Sequence, residues 1–570
     1  MQEEFRVQAP TKSVCIKNCK IKSGADKSVR TANYFSGGKN KKDIFVKRNA
    51  YLTKRLKAII IAVNKFQRQK MRYSNPVLQA DYSDPDVIRV GEDFFMVASS
   101  FNHVPGVPVL HSKNLVEWRL VNYVLNEIPF EGYDKVRHGN GAWAPSIRFH
   151  GGKYYCLIPF PDEGIFVSET DDPFGEWSPL RPLLEGKGYE DPCPVWHGGK
   201  CFVVFAFAKS RAGFNSELAV FETDEQLVSC AHSYKKIYDG HDISPNIEGP
   251  KFLKKGRYFY ILAPAGGVST GWQVALRSEK IYGPYETKII LTQGDSPVNG
   301  PHQGALVDID DSKEKWAFLH FQDMNAYGRA AHLQPVKWVN DWPLCGEVTD
   351  ENLAGHPVSD GEYPVDIRTD FNIEPSDGFD GEGLSLVWQV PATPRAEWFD
   401  MKKGLKLNCV SYDYNSIGNM PQLIMQKVPY LNFSIKTKCR LNLSEDGDET
   451  GFVVFGRTYA YICVVRRGGQ NFLEIRKGAI DGDADETLCQ SQPYDDNFVT
   501  FQMSARYEDK NKLTYRFTFG GSAFTHKFYA DKGVWTGAKI GIYARSRKES
   551  TGSATFKYFK ATCTDNKYNR

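Results

Sequence analysis

Three acidic side chains stand beside prolines at distant points of the chain: Asp84 before Pro85, Asp191 before Pro192, and Glu248 in Glu248-Gly249-Pro250. His302 directly follows Pro301. Taken singly, Asp-Pro and Gly-Pro are turn formers and ask for no chemistry. Gathered in one pocket, three carboxyls would raise one another's pKa, a cost that folding alone does not require. A carboxyl that keeps its proton, facing one that has lost it, is the apparatus of glycoside hydrolysis. The first protonates the leaving oxygen; the second activates a water or attacks the sugar directly, depending on the gap between them.

Whether these side chains meet depends on the elements that carry them. Four stretches align without gaps: DPDVIRVGEDFFMVASS from Asp84, APSIRFHGGKYYCLIPF from Ala144, DPCPVWHGGKCFVVFAF from Asp191 and GPKFLKKGRYFYILAPA from Gly249. Each has Pro at its second position and Gly at its eighth, followed by an aromatic and apolar run. A looser fifth copy with a longer turn begins at Gly300. Pro is tolerated at the first residue of a strand, and Gly supplies the positive φ of a tight turn, so each copy reads as strand, turn, strand. Further strand signals fill the gaps, as in VLHSKNLVEWRL and VALRSEKIYGPYETK, and no helical periodicity of any length appears. Four strands repeated five times predict a five-bladed β-propeller over residues 74–346. In a propeller the first strand of each blade lines the central channel. Asp84, Trp143-Ala144, Asp191, Glu248-Gly249 and His302 should therefore converge at one mouth. Glu190, beside Asp191, reads as a strand-edge charge.

Beyond a polar connection at residues 347–366, strands resume with apolar and polar residues alternating, as in NFSIKTKCRL and KLTYRFTFGG. About a dozen such strands over residues 367–570 predict a β-sandwich. A chain of 570 residues, 41% hydrophobic and 13% aromatic, is long enough for more than one core. The net charge of +4 hides an asymmetry. Residues 1–73 hold 19 Lys and Arg against 4 Asp and Glu, leaving 53 against 64 for the remainder, so the body is mildly acidic and no nucleic-acid partner is indicated. The basic segment reads as a disordered leader. Its one apolar cluster, Ala58–Val63, is too short to span a bilayer and is not followed by a cleavage-site pattern; Met71 is a candidate start for the folded protein. Twelve scattered cysteines suggest free thiols, and with no recognisable signal peptide the expected compartment is the cytoplasm. Cys15 and Cys19 form an isolated C-x3-C, a weak metal signal.

The motifs NPVLQADYSDPDVIRVGEDFFM, GAWAPSIRFHGGKYY, YEDPCPVW, NIEGPKFLKKGRYFYIL, GPHQGALVD and GRAAHLQPVKWVNDWP run in order from Asn75 to Pro343. Together they resemble glycoside hydrolase family 43, which contains β-xylosidases and α-L-arabinofuranosidases. The resemblance implies an inverting, exo-acting hydrolase on a five-bladed propeller. It would act on xylan, arabinoxylan or xyloglucan fragments, with a slight lean toward α-L-arabinofuranose over β-D-xylose. It also implies a C-terminal concanavalin-like sandwich that packs against the propeller and helps close the pocket. By the same resemblance Asp84 matches the general base, Glu248 the general acid, and Asp191 the third acid that orients substrate and keeps the general acid's pKa high. Arg329 matches an arginine that binds sugar hydroxyls, the alternative being a surface ion pair. His302 matches a channel histidine that in some relatives contacts a cation or a water network, the alternative being a structural histidine; no metal is required. Trp143, and more weakly Phe101, could stack on a sugar face or simply pack the channel. Two other readings of the acids remain: a retaining furanosidase or fructosidase with Asp84 as nucleophile, and a sugar-binding propeller without catalysis.

Overall fold

Four of the five expected hairpins close on two-residue turns. In the second blade His150 pairs with Lys153 around Gly151 and Gly152, whose φ values are 57° and 87°. In the third, His197 pairs with Lys200 around Gly198 and Gly199, at 62° and 74°. Two consecutive positive φ values give a turn whose twist matches that of the flanking strands, which is why Gly recurs there. The fifth hairpin pairs Asp308 with Trp316 across the longer turn.

The computed structural model describes residues 70–565, apart from 351, 412–415, 481–485, 509, 521 and 525. The leader up to residue 69, with Cys15, Cys19 and the Ala58–Val63 cluster, lies outside the described residues. Five four-stranded antiparallel sheets follow the repeat. They begin at Asp86–Val90, Ser146–His150, Tyr189–His197, Lys251–Lys255 and His302–Asp308. These first strands touch one another all round, blade five against blade one included, so the ring is a closed five-bladed propeller. Between neighbouring blades, Asp86 Oδ2 accepts the Ile147 N–H at 2.8 Å and Arg148 Nη1 at 2.5 Å, while Arg148 Nη2 lies 2.8 Å from Cys193 Sγ. Three blades are thus tied by one buried carboxylate and one guanidinium.

The C-terminal half forms two antiparallel sheets of eight and six strands. Phe433–Asn442 alternates buried and outward side chains along its length, as the sequence pattern predicts for a sheet covered on one face. One apolar cluster runs from Phe95, Val97 and Val104 of the propeller into Trp388, Phe433 and Phe559 of the sandwich, so the two halves share a core. The segment expected to be leader and linker is partly structured: Arg72–Ser74 pairs with Asp360–Glu362. Among the described residues every cysteine is a free thiol, and no helix is long and apolar enough to cross a membrane.

Candidate active site

A cavity of about 410 Å³ opens at the mouth of the channel. Asp84, Phe101, Trp143, Asp191, Glu248 and Arg329 all line it. Six of the seven residues singled out in the sequence are therefore brought together, from all five blades. His302 sits just behind them, 1% exposed, with Nε2 3.4 Å from Glu248 Oε1. A depression of about 640 Å³ on the sandwich is larger, but no aromatic side chain lines it.

The backbone at the repeated prolines is strained in a regular way. The residue before the proline has φ 57° at Asp84, 57° at Asp191, 59° at Gly249 and 46° at Gly300. Glycine reaches this left-handed region freely, whereas aspartate does so at a cost, and non-glycine residues held there gather at functional sites. Gly249 has no alternative: a Cβ there would lie 2.8 Å from the Gln303 side chain. Its N–H is donated to Asp191 Oδ2 at 2.7 Å, and Gln303 Nε2 approaches Asp191 Oδ1 at 3.2 Å.

Each carboxyl has its own surroundings. Asp84 accepts Ser99 Oγ at 2.5 Å, and its two oxygens lie 3.0 and 3.2 Å from Arg329 Nη1. The guanidinium in turn sits 4.9 Å above the Phe321 ring. Asp191 is pushed up to about 6, first by burial and then by the charge of Asp84, against the pull of Lys251. Glu248 is raised further, to about 8, by burial and by Asp191, with Arg329 opposing. Glu248 therefore carries a proton at neutral pH beside a carboxylate held by arginine. Burial, with Arg329 and His320 adding, pushes His302 down to about 3, so its imidazole is neutral. Both of its ring nitrogens are buried without a hydrogen-bond partner among the described residues, which suits a water or a cation. Among the described residues, the one group of three metal-ligand side chains is instead Glu217, Asp239 and His241, at the outer strands of the third blade.

The model of glycosyl hydrolases family 43 matches residues 73–343, and that of the beta xylosidase C-terminal concanavalin A-like domain matches residues 376–562. A Xylanibacter ruminicola protein provisionally named beta-xylosidase is 34% identical over 481 residues, covering 82% of this chain and 85% of its own. The chain belongs to glycosyl hydrolase family 43. It is similar as well to a non-reducing end alpha-L-arabinofuranosidase of Bacteroides ovatus, 28% identical over 530 residues, or 86% of this chain and 95% of that one. Among solved structures, a xylan beta-1,4-xylosidase of Bacillus halodurans superposes with a TM-score of 0.74 at 22% identity, covering 86% of this chain and 99% of the other, which speaks for the fold alone. The family 43 protein is thus a glycosidase built as a five-bladed propeller followed by a concanavalin-like sandwich. Neither the sugar-binding nor the retaining-furanosidase alternative finds support among these relatives.

Trp535 and Glu190 are among the residues of the family 43 site that escaped the sequence reading. Trp535 reaches the cavity from the sandwich, in a loop with no repeat to mark it. Glu190 also lines the cavity and is 7% exposed, so it is no strand-edge charge. The repeat, read one residue further from the proline, pairs it with Glu248.

Proposed function

We propose that the enzyme removes a terminal pentose, α-L-arabinofuranose or β-D-xylose, from the non-reducing end of hemicellulose oligosaccharides with inversion at the anomeric carbon. The names carried by the relatives support the substrate class: beta-xylosidase and alpha-L-arabinofuranosidase. The observation that carries the mechanism is the contrast between Glu248, raised to about 8, and Asp84, paired with Arg329, in one cavity.

Glu248 donates its proton to the glycosidic oxygen as the bond to the anomeric carbon breaks. A water on the opposite face of the sugar attacks that carbon and passes its proton to Asp84. The ring emerges inverted, with Glu248 as carboxylate and Asp84 protonated, and solvent exchange restores both. Asp191 supplies the negative charge that keeps Glu248 protonated. Arg329 holds Asp84 and offers its remaining N–H groups to sugar hydroxyls. Phe101, Trp143 and Trp535 give the apolar face of the sugar an aromatic surface. A cation at His302, if bound, would add positive charge behind Glu248; the neutral ring could equally orient a water there.

Incubation of the purified protein with aryl α-L-arabinofuranoside and aryl β-D-xyloside, with proton NMR of the first-formed sugar, tests the proposal. Release of an inverted anomer from at least one of them is expected. Hydrolysis of neither, or a retained anomer, would overturn it.

A further inference from the structure

Glu190 has no role in the hydrolysis as written, yet the fold places it with care. Along a regular strand successive side chains face opposite ways, so Glu190 and Asp191 should diverge. Here the ladder between Tyr189–His197 and Lys200–Phe207 slips between Glu190 and Cys193, and Asp191 takes its φ of 57°. The slip and the left-handed residue turn both carboxyls into one cavity. Such bulges re-aim side chains near active sites.

The repeat says the same. Counted from the blade's proline, Ser83, Trp143, Glu190, Glu248 and Asn299 occupy one position in the five blades. Trp143, Glu190 and Glu248 all line the cavity. Blade three therefore presents a carboxyl where blade four presents the acid. Glu190 is 7% exposed, and its carboxyl oxygens are not among the side-chain atoms buried without a partner: what accessibility they keep faces the cavity. A carboxyl turned into a cavity can bond to the hydroxyls of whatever enters it.

Resting on the pentosidase reading, we propose that Glu190 is a sugar-binding residue that acts as a neutral carboxylic acid, donating its O–H to one hydroxyl of the terminal pentose and accepting from another. A neutral acid offers both a donor and an acceptor, which suits the neighbouring hydroxyls of a pentose. The surroundings favour the neutral form. Burial first, then Asp191, Glu248 and Asp84, push Glu190 well above the carboxylate range, with Arg211 pulling the other way. Ionising Glu190 as well would crowd a further negative charge into this mouth beside Asp191, which the neutral form avoids.

The test separates binding from turnover. In Glu248→Gln protein, where hydrolysis is blocked, aryl α-L-arabinofuranoside and aryl β-D-xyloside are titrated calorimetrically, with Glu190 intact, changed to Gln, or changed to Ala. Gln keeps a donor and an acceptor without charge, so Glu190→Gln should bind within about threefold of the parent, and Glu190→Ala about tenfold or more weaker, the order expected for a lost hydrogen bond. With Glu248 present, Glu190→Ala should raise KM more than it lowers kcat. A Glu190→Gln loss as large as that of Glu190→Ala would mean that the charged form acts, and would overturn the proposal. So would unchanged binding by Glu190→Ala while the native enzyme still turns over either glycoside. If the native enzyme neither binds nor cleaves either one, the pentose reading itself has failed, and this proposal with it. The Gln variant, nearly isosteric, keeps the question decidable should Glu190→Ala not fold.

Discussion

Trp143 of the second blade and Trp535 of the sandwich stand with ring centroids 6.2 Å apart and planes inclined by 60°. One side of the pocket mouth therefore belongs to a domain that carries none of the acids. Trp535 is 50% exposed and held at φ 65°, a conformation that a bulky residue adopts only under constraint. A large apolar ring left open to the cavity is poised for a sugar face. Trp535→Ala should raise KM about fivefold to tenfold, the range expected for about 1 to 1.5 kcal/mol of aromatic contact. The chemistry at Glu248 would be untouched, so kcat should stay within about threefold, as Michaelis kinetics on a xylo-oligosaccharide would show. A fall in kcat at constant KM would contradict this assignment.

The pH profile follows from the proton on Glu248. The acid works only while protonated, and its pKa is raised to about 8 by burial and by Asp191. Activity should hold below that value and fall about tenfold per pH unit above it. Asp191→Asn removes one of the charges that hold the proton in place. The alkaline limb should then move down by about one pH unit, alongside a lower kcat. A limb that stays where it was would show that Asp191 does not act through Glu248.

The same raised pKa bears on stability, with a definite sign. The folded chain binds the Glu248 proton more tightly than the unfolded chain, whose carboxyl titrates at its ordinary value of 4.5. Stability from this group is thus fully present below that pH and is lost as pH rises through about 8. Glu248→Gln removes the loss along with the activity. Its melting temperature should exceed that of the native enzyme by a margin that widens from weakly acid to weakly alkaline pH and then levels off. A margin independent of pH would mean that the carboxyl is not strained in the fold.

The blades were legible because their signals are local and repeated: a proline fixes where a strand begins, and a glycine fixes where a hairpin turns. Asp84, Asp191 and Glu248 could be found for the same reason, since residues flanking the repeated prolines of a closed ring must converge. Glu190 was misread because the period-two rule applies to regular strands, and Asp191 breaks the strand at that point. Trp535 carried no signal at all. Its position depends on how the sandwich docks on the propeller, a matter of side-chain complementarity spread over the cluster that joins Phe95 to Phe433. Ion pairs such as Asp84 with Arg329, on opposite ends of the propeller sequence, follow from ring closure once the blades are counted.

Asp81 shows how that docking reaches the chemistry. It is 3% exposed, and its two oxygens serve two parts of the site: Oδ1 accepts the Arg329 N–H at 2.8 Å and Oδ2 the Gly537 N–H at 2.9 Å. One carboxylate thus anchors both the strand that carries the Asp84-binding arginine and the loop that carries Trp535. It also answers the charge of two sandwich lysines, Lys427 and Lys539. Burial first, then the charge of Lys427, pushes Lys539 down to about 7, with Asp81 opposing. Asp81→Ala would leave two backbone donors unpaired and both lysines without this counter-charge. A loss of about 3 to 5 kcal/mol is expected from breaking a buried charge network of this kind, measured by denaturant unfolding. Asp81→Asn keeps one acceptor oxygen and should cost less stability. Because that one oxygen cannot serve both N–H groups, the Asn variant should still show a raised KM from a displaced Trp535. If Asp81→Asn matched the native enzyme in both stability and KM, the anchor would have to lie elsewhere in the shared core.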